Sequence, residues 1–266
     1  MHKSVFHAAL ALATLLSSVH SCLLPVSAST SPELSLNGWK PVWACEFEST
    51  KDLKKWNIPH RSENANNELQ FYTPDAVTVA DGYLHVLARK QESDYQGRPR
   101  HYTSGLLNTQ HKLDVRYGRF DIRFKVPAGK GLWPAFWMLP TSGAWPPEID
   151  WMEILGHTPE ILYITNHFGK HVNNNHPSHG PKKFEARNPD FSEGFHTLTG
   201  IWSATELVCY VDGVKSSVSI EGVPDEKMFL ILNLAVGGDW PGNPDEKTVF
   251  PAEMLVDYVR VYQKIK

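Results

Sequence analysis

Three carboxylates fall within six residues in the stretch Pro146-Pro147-Glu148-Ile149-Asp150-Trp151-Met152-Glu153-Ile154-Leu155-Gly156. In an extended strand alternate side chains point to opposite faces, so Glu148 and Asp150 share one face and Ile149 and Trp151 take the other. Strict alternation would place Glu153 with Ile149 and Trp151, where an unpaired carboxylate is costly to bury. One extra residue, a β-bulge near Trp151-Met152, resolves the conflict by returning Glu153 to the face of the other two acids. Acids crowded in this way drive at least one pKa upward and leave another group ionised. A protonated acid beside a carboxylate nucleophile is the pair that cleaves a glycosidic bond. Spacing alone leaves two plainer alternatives open: a solvated acidic face, or ligands for a cation.

The elements around this strand must position it. Gly131-Leu132-Trp133-Pro134-Ala135-Phe136-Trp137-Met138-Leu139-Pro140 comes just before it, and a strand there sets Trp133 and Trp137 on one face with Phe136 and Met138 on the other. Two Trp side chains opposite a core face are explained by sugar rings stacking on them. Ile161 to Phe168 reads as the next strand and carries His167 near its end, while His157, His171, His176 and His179 fall in loops around it. Asn64 to Tyr72 begins polar and ends aromatic. Its Asn66, Asn67, Glu68 and Gln70 suit either sugar hydroxyls or the turn's own backbone. Trp240 stands in a loop of turn residues, Gly237 to Gly242.

Elsewhere the pattern is strand after strand. Trp39 to Phe47 begins it, Asp52 to Trp56 forms one helical turn, and Asp81-Gly82 joins a hairpin of Ala76 to Ala80 and Tyr83 to Ala88. Gln91 to Arg100 reads as a polar loop. Strands then follow over Tyr102 to Leu107, Lys112 to Val115, Arg119 to Val126, His196 to Ser203, Leu207 to Val211, Val214 to Ile220, Phe229 to Val236 and Met254 to Tyr262. Many short strands with Gly or Pro between them predict an all-β chain, a jelly-roll sandwich of two antiparallel sheets.

With 266 residues, 41% of them hydrophobic, the chain is long enough for one large β domain. A net charge of -3 and the lack of any basic stripe argue against a nucleic-acid partner. Lys3, the apolar run Ala8 to Leu16 and the small-residue site Val26-Ser27-Ala28 read as a signal peptide over residues 1–28. A single domain over 29–266, secreted and monomeric, is then expected. The alternative is lipidation at Cys22, where Val19-His20-Ser21-Cys22 loosely resembles a lipoprotein cleavage box. Cys45 and Cys209 would remain after cleavage, as a disulfide or as two buried thiols.

These motifs together resemble glycoside hydrolase family 16, and within it the bacterial endo-β-1,3-glucanases, or laminarinases. The resemblance runs from Trp39 to Gln263. It is carried by Asn66 to Tyr72, Tyr102-Thr103-Ser104-Gly105, Tyr117-Gly118-Arg119, Gly131 to Pro140, Glu148 to Glu153, Tyr210-Val211-Asp212-Gly213, Asn233 to Gly238 and Asp257 to Tyr262. The six-residue E-x-D-x-x-E form is its most specific part and marks the bulged branch. The resemblance implies a concave cleft in which Glu148 is the nucleophile, Glu153 the general acid/base and Asp150 a partner of Glu148, in a retaining reaction on a β-glucan that needs no cofactor. It implies Trp133, Trp137 and Trp240 as sugar platforms, and Asn67 and His167 as sugar contacts. It also implies a structural Ca²⁺ held by Asp257 and the Gly82 carbonyl. Two positions depart from the family. Cys45 stands where an Asp is usual in Trp43-Ala44-Cys45-Glu46-Phe47, and Leu106 stands where many members carry an Arg. Mixed-linkage glucan, a marine galactan, transglycosylation and non-catalytic glucan binding are the competing outcomes.

Overall fold

Alternation of apolar and polar residues becomes strand almost throughout the computed structural model, which describes residues 34–62, 65–169, 178–185 and 190–265. The expected signal peptide, Cys22, His171 and His176 lie outside the described residues. In chain order the strands are β1 (Trp39–Cys45), β2 (Arg61–Ser62), β3 (Gln70–Tyr72), β4 (Val77–Ala80), β5 (Tyr83–Tyr95), β6 (Arg98–Ser104), β7 (Leu106–Asn108) and β8 (Gly118–Lys125). They continue as β9 (Leu132–Pro140), β10 (Glu148–Ile154), β11 (Ile161–His167), β12 (Ser178–Glu185), β13 (His196–Trp202), β14 (Leu207–Val211), β15 (Val214–Ser219), β16 (Met228–Val236) and β17 (Ala252–Lys264).

They form two sheets. One has six strands in the order β12-β11-β10-β9-β16-β7; the other has eleven, in the order β15-β14-β13-β8-β17-β5-β6-β3-β2, with β1 on β17 and β4 on β5. The inner faces meet in one core. Phe120, Ile122 and Phe124 of β8 and Val256, Val259 and Val261 of β17 belong to it from one sheet, Phe136 and Met138 of β9 and Leu230, Leu232 and Leu234 of β16 from the other. Strand β16 is buried along its whole length. Its Phe229 and Ile231 join Tyr72 and Leu106 in a separate apolar cluster, against which Trp137 and Leu139 pack.

Four local expectations are corrected. Residues 91–100 are a hairpin rather than a loop: β5 and β6 pair from Ser93↔Arg100 to Tyr95↔Arg98. The turn takes left-handed backbone at Gln96 (φ 52°) and Gly97 (φ 76°), and the Gly97 N–H donates to Asp94 Oδ1 at 2.7 Å. Most described residues of that extension are exposed, so no apolar alternation is selected there. The expected strand over Tyr102 to Leu107 divides at Gly105, where the chain passes from one sheet to the other; a Cβ there would meet Val86 Cγ1 at 2.8 Å. Lys112 to Val115 makes only a bridge, Val115 to Met228. Residues 178–185, expected as loop around His179, pair with β11, placing His179 opposite Asn166.

Cys45 and Cys209 are buried free thiols. They lie on β1 and β14, with β17, β8 and β13 between them in the sheet. Strands spaced about 4.8 Å apart put the pair beyond reach of a disulfide.

Candidate active site

The site is built on an irregularity in β10. Against β11 the register runs Glu148↔His167, Ile149↔Asn166, Asp150↔Thr165 and then shifts to Glu153↔Tyr163. Against β9 it shifts between Asp150↔Trp137 and Met152↔Phe136. Strand β10 thus carries one residue more than either neighbour between Asp150 and Glu153, the expected bulge at Trp151-Met152. Trp151 and Met152, adjacent in sequence, both lie in the core, each 0% exposed. Glu153 is thereby turned outward with Glu148 and Asp150. Trp151 is held in place by its Nε1–H on Met138 Sδ at 3.2 Å and by Gly200, where any Cβ would press on its ring at 2.7 Å.

The three acids line a hollow of about 800 Å³ over the outer face of the six-stranded sheet. Trp133 and Trp137 of β9 line it from the same face, with His167 at the end of β11 and Trp240 from its loop. Trp240 meets Trp133 edge-on, ring centres 5.4 Å apart, and Tyr163 meets Trp240 at 5.0 Å.

Burial sets the electrostatics. Glu153, buried, has a pKa well above the ordinary range, first through desolvation and then through the charges of Asp150 and Glu148. The Trp133 N–H, 3.2 Å from Glu153 Oε1, opposes that shift. Asp150 is also pushed well up by burial, by the charge of Glu148 and by a hydrogen bond to it. A neutral Asp150 thus donates its proton to the Glu148 carboxylate. His167 Nε2 lies 3.1 Å from Asp150 Oδ2 and 3.9 Å from Glu148 Oε1. Burial lowers the pKa of this imidazole despite the pull of Glu148. The site therefore holds two carboxyls that burial pushes toward the protonated form, Glu153 and Asp150, beside Glu148.

Two expectations place differently. Asn67 is exposed and donates its amide to Asp239 Oδ1 and Oδ2 at 2.9 and 3.0 Å. Its neighbours Asn66 and Glu68 line the hollow instead. Left-handed backbone at both Asn66 and Asn67, φ 54° and 56°, breaks the alternation a strand would have kept. Of the calcium ligands expected at Asp257 and Gly82, the Asp257 carboxylate is already engaged, with Arg123 Nη1 2.5 Å from its Oδ2. A divalent cation on that carboxylate would sit beside a guanidinium.

Trp145 lines the site but is marked by no strand pattern or motif. Trp145, in the turn before β10, donates its Nε1–H to Glu148 Oε2 at 2.7 Å. Tyr72, Leu106, Leu139 and Asn233 also line the hollow. Trp137 Nε1 donates to Asn233 Oδ1 at 2.8 Å, and Asn233 Nδ2 donates to the Tyr72 hydroxyl at 3.0 Å. The departure at Leu106 thus makes part of the floor apolar where an Arg would have placed a charge.

Fold and acid geometry together define a carbohydrate-cleaving sandwich, and the comparisons agree. Residues 61–260 match the model of Glycosyl hydrolases family 16; the chain belongs to this family and is a glycoside hydrolase. It is 35% identical to the glucan endo-1,3-beta-glucosidase A1 of Niallia circulans over 90% of this chain, though it spans only 40% of that longer protein. It is 34% identical to a beta-glucanase of Rhodothermus marinus over 86% of each chain. Among solved structures, the laminarinase catalytic domain of Thermotoga maritima superposes with a TM-score of 0.79 at 37% identity, covering 86% of this chain and 99% of that one.

Proposed function

We propose that the chain is a secreted, retaining endo-hydrolase of β-1,3-glucan, acting by double displacement. The observation that carries the reading is the bulge in β10, which brings a protonated Glu153 and the Glu148 carboxylate to one hollow walled by Trp133, Trp137 and Trp240. The named activities of the relatives support the polymer. The Lys3, Ala8 to Leu16 and Val26 to Ala28 pattern supports secretion.

In the first step Glu148 attacks the anomeric carbon, the glycosidic C–O bond breaks, and the departing oxygen takes the Glu153 proton. In the second, water attacks the same carbon, its proton passes to the Glu153 carboxylate and Glu148 leaves. Asp150 donates a hydrogen bond to Glu148 throughout and keeps that carboxylate oriented. No cofactor enters either step.

Incubation with laminarin, lichenan, agarose and carrageenan, with products resolved over time and the first-formed anomer read by NMR, tests the proposal. Expected are oligosaccharides from laminarin with retained configuration, lost in Glu148→Gln and Glu153→Gln. Preferential cleavage of agarose or carrageenan, an inverted product, or wild-type activity in either mutant would refute it. Lichenan cleavage would extend the range to mixed-linkage glucan, and longer products at high substrate concentration would reveal transglycosylation.

A further inference from the structure

We infer that Trp145 is a positioning residue for the nucleophile: its indole N–H fixes the rotation of the Glu148 carboxylate and shares its charge. The inference rests on the double-displacement reading above. Trp145 stands outside the three platform tryptophans, on the seven-residue turn from β9 to β10. Its Nε1 is 2.7 Å from Glu148 Oε2, and its ring centre is 6.3 Å from that of His167. The turn is tied to the segment before β16. Thr141 N–H donates to Lys227 O at 2.8 Å, and Ser142 Oγ donates to Glu226 Oε2 at 2.6 Å. The indole is therefore delivered from an anchored turn.

A carboxylate nucleophile must present one oxygen to the anomeric carbon, and free rotation about its terminal bond works against that. A donor from the turn side and Asp150 from the strand side together define one plane for the group. The turn-side bond is also substrate-sensitive. Trp145 is 43% exposed, so contact with water weakens its bond to Glu148. A sugar ring seated beside it displaces that water, and the same N–H···O bond strengthens in the drier surroundings. Occupancy of the hollow is thereby coupled to alignment of the nucleophile. In the second step, as the Glu148 oxygen leaves the anomeric carbon and recovers its charge, the N–H is already in place to meet it.

The test replaces the indole by ring systems that lack the donor: Trp145→Phe, and the isostere 3-benzothienylalanine at position 145. With soluble laminarin, kcat falls about ten-fold in both, as expected for loss of one charged hydrogen bond, while KM and the thermal midpoint stay near wild type. Trapping with a 2-deoxy-2-fluoro laminaribiosyl fluoride still labels Glu148 in the isostere variant, but more slowly. Unchanged kcat in the isostere variant would overturn the inference. So would a raised KM with unchanged kcat, which would make the ring a sugar wall only. Label on a residue other than Glu148 in the wild type would instead remove Glu148 as the nucleophile of the proposed double displacement, so the two failures are distinguishable.

Discussion

Trp133 Nε1 donates to Glu153 Oε1 across 3.2 Å, so one side chain both walls the hollow and bonds the acid. That bond favours the ionised carboxyl and therefore opposes the burial that keeps Glu153 protonated. Trp133→Phe keeps an aromatic ring and removes the donor. The pKa of Glu153 should then rise further, and the alkaline limb of kcat/KM, which reports loss of the acid's proton, should move to higher pH. A pH–rate profile decides this: an alkaline limb that stays in place or moves toward acid excludes a role for the indole N–H in tuning Glu153.

Behind the acids, the bulge depends on Trp151 and Met152 both fitting the core. Gly200 of β13 makes the room, since a Cβ there would lie 2.7 Å from two ring atoms of Trp151. Gly200→Ala overpacks that contact and should destabilise the fold by about 1–3 kcal/mol. Because Trp151 lies between Asp150 and Glu153 in the chain, displacement of its ring should also disturb the spacing of the acids. Denaturant melts together with kcat on laminarin check both parts. A variant as stable and as active as wild type would show that Trp151 has slack against β13.

The bulge was legible in the sequence because two rules collided there. Side-chain alternation sent Glu153 inward, and the cost of burying a charge sent it out. Trp133 and Trp137 were legible for a related reason, a strand with one face already committed to Phe136 and Met138. Trp145 was not, because its bond to Glu148 depends on the path of a turn, and no periodicity governs turns. The chain of bonds from Trp137 through Asn233 to Tyr72 joins three segments far apart in sequence, so no local pattern could reveal it. The partner of Asn67 was hidden too, because left-handed backbone at two successive residues turns its amide toward Asp239, far away in sequence. The hairpin of β5 and β6 was hidden for the opposite reason: its end covers no core, so nothing selects apolar residues there.

Stability should carry the signature of the buried acids. A carboxyl whose folded pKa lies above its unfolded value contributes stability that is complete below the unfolded value and is lost as pH rises through the folded one. Asp150 and Glu153 are both of this kind, each raised chiefly by burial. The wild-type thermal midpoint should therefore fall as the solution becomes alkaline. Asp150→Asn keeps a donor toward Glu148 and removes one of the two titrating groups, so its midpoint should fall less over the same range. Toward acid, where Asp150 is protonated whether folded or not, the difference between the two melting curves should stop changing. A difference that is constant across the whole range would mean that Asp150 does not titrate in the folded protein as its burial requires.

Asp257 of β17 is paired with Arg123 of β8 at 2.5 Å, and the Arg123 guanidinium lies over the Phe195 ring, 4.6 Å from its centre. A calcium ion on this carboxylate would share it with the guanidinium bonded to Oδ2 and would gain repulsion from that cation. Neither addition of Ca²⁺ nor treatment with EDTA should therefore shift the thermal midpoint of the wild type. Arg123→Gln removes the resident charge. Both partners are about a third exposed, with side-chain exposures of 36% and 29%, so loss of the pair itself should cost no more than about 1 kcal/mol. If Ca²⁺ raises the midpoint of Arg123→Gln but not of the wild type, the arginine is what keeps the ion out. If it raises both alike, Asp257 can exchange its partner and the exclusion argued from the ion pair is wrong.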